Sequence, residues 1–300
     1  MPVNRLRASA TAAVLTAATA FCVTTGTANA ASVHTVAAKA PVQAVVPLAV
    51  PAGSHFAIPA SFRRVTKTAL TGFHLVSPAA HGFTGVGPSI AAGRKSVKNT
   101  SYTENWSGYV VDAGGYSSVI GEWTQPGANC SAGGYTDAAF WVGLDGWGSG
   151  TVEQTGSSAT CNGGSASYGA WFEAYPEPSY GYDATVEPGD QFEAFVYAPS
   201  DSFEIVIEDV TQGWYGVQNI VVSSAAKASA EIVAEAPASG GILPLTNFGT
   251  VAFDGVQANG VNFSSLSPIQ VDMVSSSGAL EAETSALPST DAFSVTWISE

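Results

Sequence analysis

Short runs of apolar and β-branched residues recur along the chain from Tyr102 onward, in alternation with polar or small residues. The runs begin about ten positions apart, and Gly, Pro, Ser and Asp separate them. In order they are SGYVV, SSVIGEW, AAFWVGL, SYGAWFEAY, DQFEAFVYA, SFEIVIED, VQNIVVSS, ASAEIVAEA, GTVAFDG, IQVDMVS and FSVTWI. This cadence predicts an antiparallel sandwich or barrel. Because no stretch keeps an apolar stripe at helical spacing, we expect little helix.

The alternation also assigns side chains to the two faces of each predicted strand. In SYGAWFEAY, the residues Trp171, Glu173 and Tyr175 share one face. A face built of two aromatic residues and a carboxylate suggests a groove that binds an extended ligand. In SFEIVIED, Val206 and Glu208 share the polar face, and we expect this strand to be half-exposed in the ordinary way.

The segment EIVAEAP carries two glutamates on one predicted face. Glu231, Val233 and Glu235 alternate with small or apolar residues that face the other way. Glutamates four positions apart on a strand are separated by roughly 13 Å along the backbone. We therefore do not expect the two to share a proton, and a catalytic glutamate here needs a partner from elsewhere.

The first thirty residues have the pattern of a secretory signal peptide. Arg5 and Arg7 precede an apolar stretch from Ala8 to Val23, and Ala-Asn-Ala at 28–30 fits a small-residue cleavage site. The apolar stretch is too short and too rich in Ala and Thr for a membrane span. We therefore assign residues 1–30 to a signal peptide and expect an exported, extracellular protein without a membrane anchor.

Residues 31–98 form a second zone that is rich in Ala, Val and Pro and has seven basic residues but no acidic ones. It could be a disordered linker, or a propeptide that is removed near Arg94-Lys95. From residue 99 onward, 24 acidic residues accompany one base, Lys227, which gives a formal charge of −23. That charge attracts a cationic segment and favours the propeptide. The expected division is thus a basic propeptide at 31–98 and a mature domain at 99–300.

The acidic domain also limits the partners and the working conditions. A surface of this charge repels polyanions, so we expect no nucleic acid partner. Carboxyl groups with reference pKa values near 4 serve as both base and acid when a protein works in an acidic medium. Protonation there also removes the self-repulsion of the domain.

Several catalytic mechanisms are excluded because all four histidines lie in the first 81 residues. Ser-His-Asp and Cys-His catalysis need an imidazole, and zinc hydrolases almost always need one as a ligand. Asp-Thr-Gly and Asp-Ser-Gly, the usual turns of aspartic proteases, are also absent from the sequence. Carboxylates, amides and aromatic residues remain, and we expect no metal and no cofactor.

Three cysteines are present, and Cys22 belongs to the signal peptide. Cys130 and Cys161 then form an even pair in an oxidising compartment, which predicts a disulfide. In the chain-entropy model a disulfide that closes such a loop stabilises by roughly 3 to 4 kcal/mol. A thiol nucleophile is the weaker hypothesis because no histidine is available to activate it.

Six stretches, in order, resemble the glutamic peptidases, which are also called eqolisins or peptidase family G1. The stretches are NWSGYVV, GEWTQP, FWVGLDG, VEQTG, AWFEAYPE and AEIVAEAP, between residues 105 and 237. No single stretch is decisive, but their order behind a signal peptide and a basic segment is specific. The resemblance covers roughly residues 103–300 and is closest to a bacterial branch of the family. It implies an all-β fold, an antiparallel β-sandwich of the jelly-roll or concanavalin A-like kind, and a secreted acid endopeptidase.

The resemblance also implies roles for individual residues. The catalytic glutamine would be Gln154 in VEQTG, and the catalytic glutamate would be Glu235 in AEIVAEAP. In the family these two side chains hold a water molecule, the glutamate acts as base and then acid, and the glutamine stabilises the oxyanion. Residues that match positions lining or supporting the cleft are Trp141, Asp145, Trp171, Glu173 and Tyr175. Asp145, in LDG, is an equally good candidate for a turn residue, and Glu231 is assigned to the surroundings of the site.

Two departures from the family pattern bear on fine tuning. Some fungal members have Asp where this chain has Gly169, and an Asp that often follows the second catalytic strand is replaced by Ala236. The expected partners are protein or peptide substrates and the chain's own propeptide as inhibitor, and we expect a monomer.

The alternative hypothesis is a carbohydrate-active or carbohydrate-binding β-sandwich, since Trp-rich sheets also bind sugars. Such a hydrolase usually needs two carboxylates about 5 to 9 Å apart. The close i, i+2 pair Glu281 and Glu283 lies beside a predicted turn, so the sequence favours the peptidase.

Overall fold

A computed structural model describes residues 60–69 and 100–300 of the chain, and the regular structure there is almost entirely β. The one helical element in this part is a short 3-10 helix at Phe263–Ser265. The strands are β1 Arg63–Arg64, β2 Lys67–Ala69, β3 Thr100–Thr103, β4 Trp106–Val111, β5 Ser118–Thr124, β6 Tyr135–Leu144, β7 Val152–Asn162, β8 Ser165–Tyr175, β9 Tyr180–Tyr182, β10 Gln191–Tyr197, β11 Ser202–Asp209, β12 Trp214–Val221, β13 Ala230–Glu235, β14 Thr250–Ala258, β15 Val261–Asn262, β16 Ile269–Val274, β17 Leu280–Thr284 and β18 Phe293–Trp297. The prediction of an all-β domain with little helix is confirmed.

The strands form two packed layers. The layer that we call the site layer has the spatial order β4, β13, β6, β7, β8, β9, and neighbours in it are antiparallel. The back layer has the order β12, β11, β10, β5, β14. On one side the strand pairing continues from β14 of the back layer through β18, β17 and β16 to β4 of the site layer. The two layers pack face to face, with β10 and β11 against β6 and β7. The layers are thus the two sheets of a sandwich, as predicted.

The core between the layers follows the alternation in the sequence. On β6, Phe140 and Val142 belong to the main core cluster, whereas Trp141 belongs to a second cluster on the opposite face of the site layer. On β8, Phe172 lies in the main core and Trp171 in the second cluster. We call this second, outward face of the site layer the site face. It is covered by large aromatic side chains and is therefore buried as well.

The back layer departs from the expected pattern at β11. Val206 and Glu208 are 0% and 2% exposed, so the prediction of an ordinary half-exposed strand is wrong for them. The strands on either side bring Phe195 and Val217 into register with Val206, and these apolar side chains cover the outer face. Burial of this face therefore depends on which strands become neighbours.

Cys130 and Cys161 form a disulfide, as predicted, with a Cα–Cα distance of 5.4 Å. The bond joins the loop that follows β5 to the end of β7. It closes a separation of 31 residues.

The expected signal peptide, residues 1–30, lies outside the described residues, and so does most of the basic segment 31–98. Residues 60–69 are described, and they add β1 and β2 to the sandwich. Within the described ranges, no helix is long and apolar enough to cross a membrane.

Candidate active site

The site face of β13, β6, β7 and β8 brings together residues that are distant in the sequence. The register places Glu231, Gly143, Gln154 and Glu173 in one row across these four strands. The side-chain amide of Gln154 donates from Nε2 to Glu173 Oε2 at 2.7 Å. Both side chains are buried. A predicted catalytic residue and a predicted cleft residue are thus direct partners.

Glu235 is the last residue of β13 and lies four positions from this row. Its carboxylate is buried and accepts hydrogen bonds at both oxygens. Trp141 Nε1 donates to Oε2 at 2.8 Å, and Asn105 Nδ2 donates to Oε1 at 3.3 Å. Two donors on opposite oxygens hold the carboxylate in one orientation.

The indole of Trp141 lies between Glu235 and Gln154. Its Nε1 edge contacts Glu235, and its six-membered ring covers Gly143, the neighbour of Gln154 in the row. A Cβ atom at Gly143 would come within 2.8 Å of Trp141 Cζ3 and 3.1 Å of Gln154 Cβ. A Cβ atom at Gly156 would overlap the Phe140 carbonyl oxygen. Glycine at position 143 therefore leaves room for the indole, and glycine at position 156 leaves room for the backbone of β6.

Glu173 connects the two predicted catalytic residues electrostatically. Burial raises the pKa of Glu173 well above its usual range, the charge of Glu235 raises it further, and the hydrogen bond from Gln154 acts in the opposite direction. Glu173 is therefore a neutral carboxylic acid in an acidic medium. Two nearby carboxyl groups in different environments are suited to different protonation states.

Aromatic side chains form the rest of the site face. Trp171 is buried in the same cluster as Trp141, and the half-buried Tyr175 packs against this cluster. Trp106, on β4, packs edge-on against Trp141 with ring centroids 5.0 Å apart. The predicted groove-lining residues on β6 and β8 thus share one face, next to Gln154 and Glu235.

Asp145 holds two segments together at the end of β6. It has a positive φ of 69° and is fully buried. One carboxylate oxygen accepts the backbone N–H of Lys227 at 2.8 Å, and the other accepts that of Ala228 at 2.9 Å. The backbone N–H of Asp145 donates to the carbonyl of Ser229 at 3.0 Å. Asp145 therefore supports the start of β13, as expected of a turn residue.

Glu231 lies close to Asp145 and Glu153 rather than to Glu235. Burial raises the pKa of Glu231 well above its usual range, and the charge of Asp145 adds to this. Burial, followed by the charge of Asp145, also raises the pKa of Glu153 to about 8. Since a neutral carboxylic acid is a poor base, Glu231 belongs to the surroundings of the site.

Sequence reasoning missed two residues of this site, Asn105 and Trp106. Both occur in NWSGYVV, one of the stretches that carry the family resemblance. Nothing in that stretch indicates that the side chain of Asn105 reaches Glu235, which is 130 positions away in the sequence. Within the described ranges, no cluster of His, Cys, Asp and Glu is arranged to hold a metal ion.

Comparison with known proteins relates this arrangement to a family. The sequence pattern of the Peptidase A4 family matches residues 104–297. Aspergillopepsin-2 from Aspergillus niger is 30% identical over 226 residues, which are 67% of this chain and 79% of that protein. Scytalidopepsin B from Scytalidium lignicola is 31% identical over 121 residues, which are 39% of this chain and 45% of that protein.

Solved structures with the same fold include scytalido-glutamic peptidase bound to a transition state analogue inhibitor. It matches with a TM-score of 0.58 and 24% identity, over 65% of this chain and 98% of that chain. SCP-B, an eqolisin in complex with the tripeptide Ala-Ile-His, matches with a TM-score of 0.54 and 23% identity over the same shares. At these identities the likeness concerns the fold.

Proposed function

The chain belongs to the Peptidase A4 family and is a glutamic endopeptidase, and we propose that it is an exported enzyme that works in acid with Glu235 and Gln154 as its catalytic pair. The family match decides between the two hypotheses from the sequence, in favour of the peptidase over the carbohydrate-active sandwich. The tripeptide complex of SCP-B supports a peptide as the ligand of this site.

The geometry around Glu235 is the observation that carries the proposal. Its carboxylate is held by Trp141 and Asn105, and the same indole lies beside Gln154. A water molecule bound at this pair gives a proton to Glu235 as its oxygen attacks the peptide carbonyl carbon. Glu235 then gives this proton to the amide nitrogen as the C–N bond breaks, and the products are a carboxyl group and an amine.

Gln154 is suited to stabilise the oxyanion of the tetrahedral intermediate. One of its two amide hydrogens is used by Glu173, which fixes the plane of the amide. The second hydrogen is available for the oxyanion, and the buried Oε1 has no protein partner among the described residues. An amide held in advance by a buried partner needs no reorganisation during the reaction. Glu173 is therefore a positioning residue.

Tyr175, which is half-buried, would contact the substrate side chains, whereas the buried Trp141, Trp171 and Asp145 would support the groove from behind. We further propose that the basic segment within residues 31–98 inhibits the enzyme before maturation. Its attraction to the acidic domain weakens as carboxylates are protonated, so inhibition in trans is expected at pH 6 to 7 and release in acid. A monomer in solution is consistent with this scheme.

The test is hydrolysis of a denatured protein at about pH 3 to 4, in the presence of pepstatin and EDTA. Glu235→Gln and Gln154→Ala are each expected to lower kcat at least about 100-fold, with an unchanged circular dichroism spectrum. Glu231→Gln, on the same strand and face, is the matched control and is expected to keep most of its turnover. Near-normal turnover of Glu235→Gln, or a loss confined to Glu231→Gln, would show that the base is misassigned.

A further inference from the structure

One side of the sandwich is closed by a segment from outside the matched family region. The ladder runs without interruption from β12 through the back layer, β18, β17, β16 and the site layer to β9. On the other side, the edges of β12 and β9 are bridged by residues 60–69, which we call the strap. β1 of the strap pairs in parallel with β12, and β2 pairs antiparallel with β9.

Backbone hydrogen bonds hold the strap to both edges. On the β12 side, the N–H groups of Arg63 and Val65 donate to the carbonyls of Gly213 and Tyr215, each at 2.9 Å. On the β9 side, the N–H of Asp183 donates to the carbonyl of Thr66 at 2.9 Å. The strap therefore occupies hydrogen-bonding groups that an open sandwich would expose at two edges.

Val65 anchors the strap in the main core. It is 4% exposed and lies in one hydrophobic cluster with Tyr182 of β9 and Trp214 of β12. These two aromatic side chains come from opposite layers, so Val65 fills the place where the layers meet. Burial of this apolar side chain stabilises the contact between the strap and both layers.

Lys67 of the strap contacts an aromatic side chain of β9. Lys67 Nζ lies 4.8 Å from the ring centroid of Tyr180, a cation–π contact. Arg64 is in register with Tyr215, which in turn is in register with Glu208 on β11. Arg64 thus lies two strands, or about 10 Å, from a buried carboxyl group. The cation–π contact of Lys67 adds to the strand pairing without replacing it.

Two strands, β9 and β8, lie between β2 of the strap and Gln154 on β7, and Thr68 is two strands from Trp171 at the edge of the site layer. The strap's partners β9 and β12 contribute neither Gln154 nor Glu235, and Val65 packs on the core side of the site layer, behind Trp171 and Glu173. The strap can therefore remain in place without covering the substrate groove.

We propose that the strap is a permanent part of the peptidase domain and stays bound as a separate peptide after the chain is cut between residues 70 and 99. The peptide that lies between the edges of β9 and β12 is thus this chain's own strap, and maturation cuts only the chain that connects it to the rest of the domain. The division of 31–98 changes accordingly: residues 60–69 serve the fold of the mature enzyme, and the inhibition that is relieved in acid is assigned to the rest of the basic segment. This inference is independent of the proposed roles of Glu235 and Gln154.

The test uses the full chain with Glu235→Gln, which prevents self-digestion, and with a recognition sequence for a site-specific endopeptidase inserted between residues 80 and 81. After complete cleavage, the protein is passed through a gel-filtration column at pH 4 and at pH 7, and again in 1 M NaCl, where charge attraction is screened. We expect the fragment that contains the strap to elute with the domain in every case, as identified by mass. The Asp183 amide should keep its slow hydrogen exchange.

Val65→Asp and Thr68→Asp make a matched pair of variants, since both add one negative charge to the strap. Thr68 is exposed, whereas Val65 is buried. Val65→Asp is expected to weaken retention of the cut fragment by at least about 100-fold in Kd, because a charge cannot be buried unpaired, and Thr68→Asp should retain it. The proposal would be overturned if the cut fragment without substitutions separates from a domain that stays folded and the Asp183 amide then exchanges its hydrogen rapidly. Release by salt or acid alone would also overturn it, since an electrostatic contact would then suffice.

Discussion

Replacing Glu193 with glutamine should stabilise the domain at pH 8 and leave its stability nearly unchanged at pH 4. Glu193 lies in a row of four acidic residues that are in register across the back layer, on β14, β5, β10 and β11; the row is Asp254, Glu122, Glu193 and Glu208. Adjacent strands are about 4.8 Å apart, and like charges directly opposite one another are destabilising. Glu193 has an acidic neighbour on each side and is 5% exposed.

The magnitude follows from the pKa of this residue. Burial, and then the charge of Glu122, raise the pKa of Glu193 from 4.5 to about 7. The folded state therefore binds the proton more tightly than the unfolded state does. This stabilisation is complete below about pH 4.5 and is lost as the pH rises through 7. The full shift corresponds to about 3 kcal/mol, and partial solvation of the row reduces this to about 1 to 3 kcal/mol.

The other members of the row act in the same direction. Burial, followed by a neighbouring acidic charge in each case, raises the pKa of Glu122 to about 6 and that of Glu208 to about 8. The unaltered domain should therefore be most stable in acid and lose stability between about pH 4.5 and 8. A glutamine at position 193 is neutral at every pH, so it removes the part of this loss that Glu193 contributes.

The assay is thermal and guanidinium unfolding at pH 4 and pH 8, in the Glu235→Gln background that prevents self-digestion. An increase of about 1 to 3 kcal/mol at pH 8 raises Tm by about 2 to 4 °C per kcal/mol. Glu204→Gln is the matched control, because Glu204 is on β11 and opposite Tyr197 and Asn219 rather than acids. Equal stabilisation by both variants would indicate overall charge repulsion, and no stabilisation by Glu193→Gln at pH 8 would refute the argument.

Three further predictions concern the site and the disulfide. Trp141→Phe removes the N–H that holds Glu235, so kcat should fall about 10-fold or more; an unchanged kcat would contradict this role. Gly156→Ala should destabilise the fold by about 2 to 4 kcal/mol in guanidinium unfolding, because a Cβ there comes 2.5 Å from Trp141 Cβ. Gly169→Ala, whose Cβ would meet only Ser158 Oγ at 3.6 Å, is its control and should be nearly neutral. Cys130→Ser should cost about 3 kcal/mol by the same assay, and an unchanged transition midpoint would show that the disulfide adds nothing.

The sequence by itself determined the local features of this protein. Period-two alternation placed Trp171, Glu173 and Tyr175 on one face of their strand, because neighbouring side chains on a strand always point to opposite faces. The even number of cysteines after the predicted signal peptide was enough to predict the disulfide. The family resemblance marked Gln154 and Glu235, since its motifs are short and occur in order.

Only the tertiary structure decided which strands are neighbours. Glu231 lies in the same row as Gln154, and yet its carboxyl group is close to that of Asp145. The carboxylate of Glu235 is instead oriented by hydrogen bonds from Trp141 and Asn105. The acidic row exists because β14 pairs with β5 and β5 with β10, which join segments more than fifty positions apart. The strap likewise became part of the sandwich because two sheet edges were open to it. Alternation is a property of each strand alone, whereas pairing depends on the closure of the whole sandwich, and no local pattern specifies that.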